Sequence, residues 1–312
     1  MNKTQRNSVI NYYMINGVAA DYLYINDRAI HYGDGLFETI LCRNRKLYYW
    51  KQHYQRLQLS SVKLKIDCPD EQLLLADIKA LLAANENLAN NGCVVKIIVT
   101  RGSGERGYQI PKAINANRIV LLSSMEPEYS SLLSARLLKG DLYLCEQQVS
   151  INESLAGMKH LNRLENVLAR NEWDVKDNKI VDGLMLNANH HVIEGTMSNL
   201  FAVKDKRLFT PDLTQSGVKG IMRDEIINIA NNIDIEVSIK NMSIDELAEM
   251  DGLFITNSLI GMRSIDKFND KQYKETEVTN LVFENLLKTK DDYVQVVSTD
   301  LLYCLGETFY GF

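Results

Sequence analysis

Two short segments carry residue types that together can handle a reactive carbonyl and a charged heterocycle. In LAGMKHLNRLENVLAR, Lys159 follows Gly157-Met158 and leads into an apolar-periodic run. A lysine amine can join an aldehyde cofactor as a Schiff base, be displaced, and then act on a substrate proton. The ordinary fate of a lysine is a solvated surface charge, and spacing alone does not choose between the two. In VIEGTMSNLF, residues 192–201, Glu194 closes a short apolar run ahead of Gly195. A carboxylate there can hold a pyridine nitrogen protonated, so that the ring absorbs carbanion charge. The neighbouring Thr196, Ser198 and Asn199 can orient a ligand or simply complete the hydrogen bonds of a turn.

Other local signals are less specific. RGSGERGY, residues 101–108, is glycine-rich but matches neither the Rossmann nor the P-loop pattern. His31, close to Gly33-Asp34-Gly35, can reach a substrate or stabilise a turn. Glu38 and Thr39 are neighbours on a strand and so face opposite sides, one toward a cofactor and one toward a subunit contact. His190 and His191 are adjacent rather than a helical turn apart, and neither HExxH nor close cysteine pairs are present, so no metal site is indicated. The GxSxG elbow of a serine hydrolase is missing as well.

These residues need elements to position them. Asn16-Gly17 between Tyr13–Ile15 and Leu23–Ile25 predicts a tight hairpin. Leu36–Cys42 and Lys46–Trp50 read as paired strands, followed by a helix over 51–64 and another from Pro69 to Ala84. Cys93–Thr100 and Arg118–Ser123 read as strands, which makes residues 1–125 an α+β unit. Residues 126–134 are the expected connection, and 135–312 a larger second domain. That second half predicts a strand over 135–144, a helix over Leu161–Trp173, and short strands at 181–187, 192–194, 199–203 and 207–210. A helix over Gly217–Ala230 and a strand over Ile235–Ile239 follow. The capping box Ser243-Ile-Asp-Glu246 opens a helix that stops before a strand at 253–256, and a last helix spans Glu277–Lys288. So many short strands can close, or partly close, a sheet.

Composition bounds the setting. The chain has 312 residues, 46% hydrophobic and 24% charged, a globular profile. A formal charge of -5 offers no general attraction to nucleic acid or to an anionic membrane, though a local basic pocket is compatible with it. No apolar run approaches the roughly 18 residues of a spanning helix, and the opening MNKTQRNSVINYYM lacks a secretory pattern. Five scattered cysteines suggest neither a disulfide framework nor a thiolate cluster, so a reduced, cytoplasmic setting is expected.

Taken in order, IHYGDGLFETI, QHYQRLQLS, KIIVTRGSGERGY, AGMKHLNRLENVLAR, EGTMSNLF, SGVKGIMR and DGLFITNSL resemble the class-IV, fold-type-IV pyridoxal-phosphate aminotransferase family. Within it the nearest likeness is to the aminodeoxychorismate lyases. The resemblance implies a two-domain α+β fold, with an N-terminal α/β sandwich and a C-terminal barrel-like domain. It implies pyridoxal 5'-phosphate bonded to Lys159, with Glu194 on the pyridine nitrogen and Asn199 beside it. It also places Arg56, Gly220, Ile221 and Thr256 around the phosphate. Physics agrees, since guanidinium forks and the free N–H groups of a helix start both receive phosphate well. His31, Arg106 and Tyr108 are then candidate contacts to a carboxylated substrate, 4-amino-4-deoxychorismate, in a carbon–oxygen elimination of folate biosynthesis. The lyase branch further implies a homodimer. A class-IV D-amino-acid or branched-chain aminotransferase, or an inactive ligand-binding homologue, remains the alternative.

Overall fold

The computed structural model describes residues 12–297, with the exception of Val175. The chain first forms β1 (Tyr12–Ile15), α1 (Arg28–Tyr32), β2 (Gly35–Arg43), β3 (Lys46–Tyr48), α2 (Trp50–Leu64), α3 (Glu71–Ala84), α4 (Glu86–Asn91), β4 (Cys93–Thr100) and β5 (Asn117–Ser124). Next come α5 (Ser131–Ser134), β6 (Leu138–Leu144), α6 (Leu164–Arg170), β7 (Ile180–Leu186), β8 (Val192–Gly195), β9 (Asn199–Lys204) and β10 (Arg207–Pro211). Last are α7 (Ile221–Asn232), β11 (Val237–Lys240), α8 (Ile244–Ala248), β12 (Gly252–Asn257), β13 (Gly261–Phe268), β14 (Lys271–Gln272), α9 (Glu277–Thr289) and β15 (Val294–Val296).

Alternation builds the first layer. Along β4 every second residue is buried, which leaves one apolar face for α2 and α3. Leu36, Ile40, Val95, Ile97 and Val120 meet Trp50, Leu57, Leu74, Ile78 and Leu82 there. Each such side chain contributes about 1.5–3 kcal/mol by leaving water. The sheet is antiparallel throughout, in the order β1-β5-β4-β2-β3-β15. Its last strand comes from the far end of the described chain, so residues 135–312 are not confined to the second sheet.

The second sheet runs β11-β10-β9-β12-β13-β6-β7-β8, with β14 on β13, and curls into a half-barrel. Its strands β8, β9 and β12 are buried almost throughout, because both faces are covered. Phe201 and Phe254 stack 5.0 Å apart under Met222, Ile226, Val282 and Phe283 of α7 and α9. Leu41, Tyr48 and Tyr49 of the first layer join that same cluster, so the two sheets share a core. Residues 126–134 lie between them as a short 3-10 turn and α5. The molecule is therefore α+β.

Several expectations need correction. Leu23–Ile25 forms no strand; β1 pairs with β5, and Asn16-Gly17 turns the chain through a single Ile15–Val18 bridge. Pro69 stands ahead of the helix, because the Asp70 side chain caps it by accepting from Gln72 N at 2.8 Å. The helix expected over Leu161–Trp173 shrinks to Leu164–Arg170, and its Leu164, Val167 and Leu168 are 77%, 53% and 58% exposed. The residues before it are extended because they pair with β2. Strand β13, GMRSIDKF, is invisible to periodicity because its charged residues interrupt the pattern. The Ser243–Glu246 capping box forms as expected. Cys42, Cys68, Cys93 and Cys145 are free thiols, while Cys304 lies outside the described residues.

Candidate active site

The site lies where one segment is stitched to both sheets. Phe37 N donates to Lys159 O at 2.9 Å and Leu161 N to Gly35 O at 3.0 Å, adding residues 159–161 to the edge of β2. Gly157, at φ 81°, exchanges backbone bonds with Gly217 and Lys219 on the approach to α7. Lys159 is thereby aimed into a cavity of about 310 Å³, a size within the usual range for small-molecule sites. Its Nζ lies 4.4 Å from the centroid of the Phe37 ring. Burial, reinforced by Arg56 and Arg163 and only partly opposed by Glu38 and Glu194, pushes the amine down to about 8. About a tenth of such amines are neutral at pH 7, against well under a thousandth for an ordinary lysine.

Glu194 on β8 faces the same cavity. Burial raises its carboxyl to about 7, although Val218 N donates to Oε2 at 2.8 Å and Arg163 and Lys159 are nearby cations. Asn199 Nδ2 reaches the same oxygen at 3.5 Å and is itself fixed by Val218 O at 2.9 Å. A carboxylate so poorly compensated is built to receive a further cationic N–H donor. Gly195 precedes a turn organised by buried Asp182, which accepts from Thr196 Oγ1 at 2.5 Å and Ser198 Oγ at 2.6 Å. The hydroxyls of this motif therefore serve the turn.

At another end stands Arg56 of α2. Nε and Nη2 grip Glu38 at 2.8 and 2.5 Å, and Nη1 donates to Lys219 O at 2.9 Å. His53 Nδ1 lies 2.6 Å from Glu38. Burial alone would raise the Glu38 carboxyl, but Arg56 and His53 overcome it and hold it at about 2. Glu38 thus faces an internal ion pair rather than a subunit contact, while Thr39 lines the cavity. Arg56 keeps unused N–H groups beside Gly220 and Ile221, where α7 begins without a side-chain cap. A Cβ at Gly220 would lie 2.0 Å from Asn199 Oδ1, so the glycine lets that helix end approach Asn199 as it stands.

The amino-transferase class IV family model matches residues 35–268. This chain belongs to the class IV aminotransferases. The Vibrio harveyi aminodeoxychorismate lyase is 32% identical over 262 residues, 84% of this chain and 93% of that protein. The crystal structure of 4-amino-4-deoxychorismate lyase from Pseudomonas aeruginosa superposes with a TM-score of 0.79 at 35% identity, covering 89% of this chain and 99% of that one. The branched-chain aminotransferase of the archaeon Thermoproteus uzoniensis, solved with norvaline, gives a TM-score of 0.77 at 19% identity, covering 92% and 99%, a likeness of fold alone. The fold is fold-type IV.

Within this class IV site the expected residues separate into two groups. Arg56, Lys159, Glu194, Asn199, Gly220 and Ile221 all line the cavity. Thr256 does not: its side chain is fully buried, and Oγ1 donates to Gly261 O at 2.6 Å, closing the turn that presents Asn257, Ser258 and Leu259 to the cavity instead. His31, Arg106 and Tyr108 lie outside it. His31 is exposed, with Nε2 2.8 Å from Ile25 O. Arg106 is exposed, and Tyr108, 85% exposed, packs on Tyr32 at 5.3 Å. Their loop is held from beneath by Arg28, which donates to the carbonyls of Gly107 and Tyr108, so the side chains point outward. Arg101 is buried against Asp34, with bonds of 2.7 and 2.9 Å. Arg163 and Asn166 enter the cavity although the sequence does not single them out, since both read as the polar face of a helix. A phosphorylated pyridine aldehyde fits this donor set: an amine, a proton-seeking carboxylate, a guanidinium and a bare helix start.

Proposed function

We propose that this chain is a pyridoxal 5'-phosphate-dependent carbon–oxygen lyase that converts 4-amino-4-deoxychorismate to 4-aminobenzoate and pyruvate. The observation that carries the reading is the shared cavity of Lys159 and Glu194, one amine pushed down and one carboxyl pushed up by the same burial. The likeness to lyases above 30% identity over most of both chains directs it to this reaction. When bound, the cofactor supplies an electron-poor ring that stores the electron pair left as the substrate carbon loses its proton.

The chain's own residues do the rest. Lys159 Nζ would hold the cofactor aldehyde, and the free amine is placed to take the proton from the amino-bearing ring carbon and to return one as the enolpyruvyl oxygen departs. Glu194 keeps the ring nitrogen protonated. Arg56 and the N–H groups of Gly220 and Ile221 hold the phosphate end, with Glu38 and His53 keeping Arg56 in place. Asn199 braces Glu194. Thr256 acts on the phosphate through the turn it closes. Breaking one C–O bond and moving one proton converts substrate to both products, so no amino acceptor is consumed.

His31, Arg106 and Tyr108 are exposed, which suits contacts made across a subunit boundary, and a homodimer in which each chain lends this loop to its partner's substrate belongs to the proposal. So does a division of the chain at residues 126–134, and a cytoplasmic setting consistent with four free thiols; no helix of the described residues is long and apolar enough to cross a membrane. The test is a product assay with purified protein, added pyridoxal phosphate and aminodeoxychorismate. Pyruvate and 4-aminobenzoate should appear without an amino acceptor, and Lys159→Ala should abolish rapid turnover. Efficient transamination with no lyase products would instead assign it to the aminotransferases.

A further inference from the structure

Lys159 and its carrier segment separate two clefts. Arg56 borders the one that also holds Gly157, Met158 and Lys219. Arg163 borders the other, with His160, Asn162 and Ser216. Both arginines also line the central cavity, together with Lys159 and Glu194. Arg163 has an unusual anchorage. Nε donates to His160 O at 3.0 Å and Nη2 to Met158 O at 2.9 Å, the carbonyls on either side of Lys159. Its head group is therefore fixed to the peptide of the reactive lysine, while Nη1 makes no hydrogen bond and the residue no ion pair among the described residues. Arg56 is different, since Glu38 already neutralises it.

Three anchors orient a phosphorylated pyridine aldehyde: Lys159 at the aldehyde carbon, Glu194 at the ring nitrogen opposite, and the Arg56–Gly220 end at the phosphate arm. One polar substituent is left, the ring oxygen beside the aldehyde, on the edge away from the phosphate. We infer that Arg163 is the positioning residue for that oxygen, holding it as an anion through Nη1 and setting the charge felt by the nitrogen that joins Lys159 to the cofactor. This rests on the proposed function only as far as cofactor linkage to Lys159, and applies equally to a lyase or an aminotransferase. A guanidinium suits the role because it stays charged at every working pH and its planar fork is held by two carbonyls. The charged groups around it are Lys159, Glu194, Glu165, Arg56 and the His160 ring.

The test is the pH titration of the visible absorbance of the cofactor-loaded protein, with Arg163→Met and Arg163→Lys beside the native chain. A cation next to the linked nitrogen disfavours its protonation, so its removal should raise the titration midpoint by about one unit, and lysine should restore most of the native value. Cofactor affinity, measured by equilibrium dialysis, should fall about tenfold or more in Arg163→Met, as for the loss of a charge-assisted hydrogen bond. A midpoint that stays in place in Arg163→Met, or that moves equally in both variants, overturns the inference. Loss of the two carbonyl bonds by itself would lower thermal stability without moving the midpoint. A native protein that shows no lysine-linked absorbance at all would count against the proposed function and leave Arg163 with no oxygen to hold, which defeats the inference too, and Lys159→Ala identifies that case.

Discussion

Replacing Lys159 with methionine removes the reactive amine, and the structure implies that the cofactor-free protein becomes more stable for it. Burial, with Arg56 and Arg163 beside it, takes the Lys159 amine from 10.5 down to about 8. At about 1.4 kcal/mol per pKa unit, folding then penalises the protonated amine by about 3 kcal/mol. The sign follows from proton binding. Between about pH 8 and pH 10.5 the unfolded chain holds more protons at this position than the folded one, so stability rises with pH across that window. The penalty is therefore complete below about pH 8 and absent above about pH 10.5. Methionine has similar length, packs against Phe37 and has no charge to desolvate. Urea unfolding of the two cofactor-free proteins from about pH 7 to pH 10 should show the variant ahead by up to about 3 kcal/mol at neutral pH, with equal m-values and a gap that closes as the lysine loses its proton. A variant no more stable at pH 7, or a gap independent of pH, would falsify the picture of a desolvated lysine strained by its own site. Such a gain on losing a functional group is the usual exchange of activity for stability.

Glu194→Gln keeps the size of the side chain and can still accept from Val218 N, but cannot hold a pyridine nitrogen protonated. Turnover is expected to fall about 100-fold or more, while the cofactor-free variant, relieved of a carboxylate that burial raises to about 7, should be no less stable than the native chain at pH 8 in the same unfolding assay. Gly220→Ala drives a Cβ to 2.0 Å from Asn199 Oδ1, so either Asn199 gives up its bond to Val218 O or the start of α7 shifts. A loss of about 1–3 kcal/mol in thermal or urea unfolding is expected, together with weaker cofactor binding in dialysis; unchanged values of both would mean that the helix end has slack the structure does not show.

Much of the site is legible in the sequence because its residues lie in local motifs. Lys159, Glu194, Arg56 and Gly220-Ile221 stand in segments whose resemblance to the class-IV family implies a common cofactor, and all of them line one cavity. Thr256 departs from expectation at the scale of one residue. It has the right type for a phosphate contact, but the tight turn from Thr256 to Gly261 uses its hydroxyl first, and Asn257 and Ser258 line the cavity instead. Arg106 and Tyr108 have suitable chemistry, yet Arg28 holds the carbonyls of their loop and leaves both side chains exposed, while His31 on α1 is exposed with its ring on Ile25 O. Arg163 gives no signal in the sequence because, on a helix, an arginine beside leucines reads as the solvated face. The helix begins only after it, and the extended residues before it carry the lysine.

What residue order by itself determined is the set of elements whose periodicity is strong, such as β2, β4, α2, α3 and α9, and the chemical types gathered near Lys159 and Glu194. These depend on interactions within a few residues, which the chain encodes directly. Tertiary structure alone decided which of those types share a cavity. Pairing of residues 159–161 with β2, the return of β15 to the first sheet and the approach of Gly220 to Asn199 are contacts between segments far apart in sequence. The pKa displacements of Lys159, Glu194 and Glu38 follow from those contacts, because exclusion of water is a property of the assembled cavity and of no single segment.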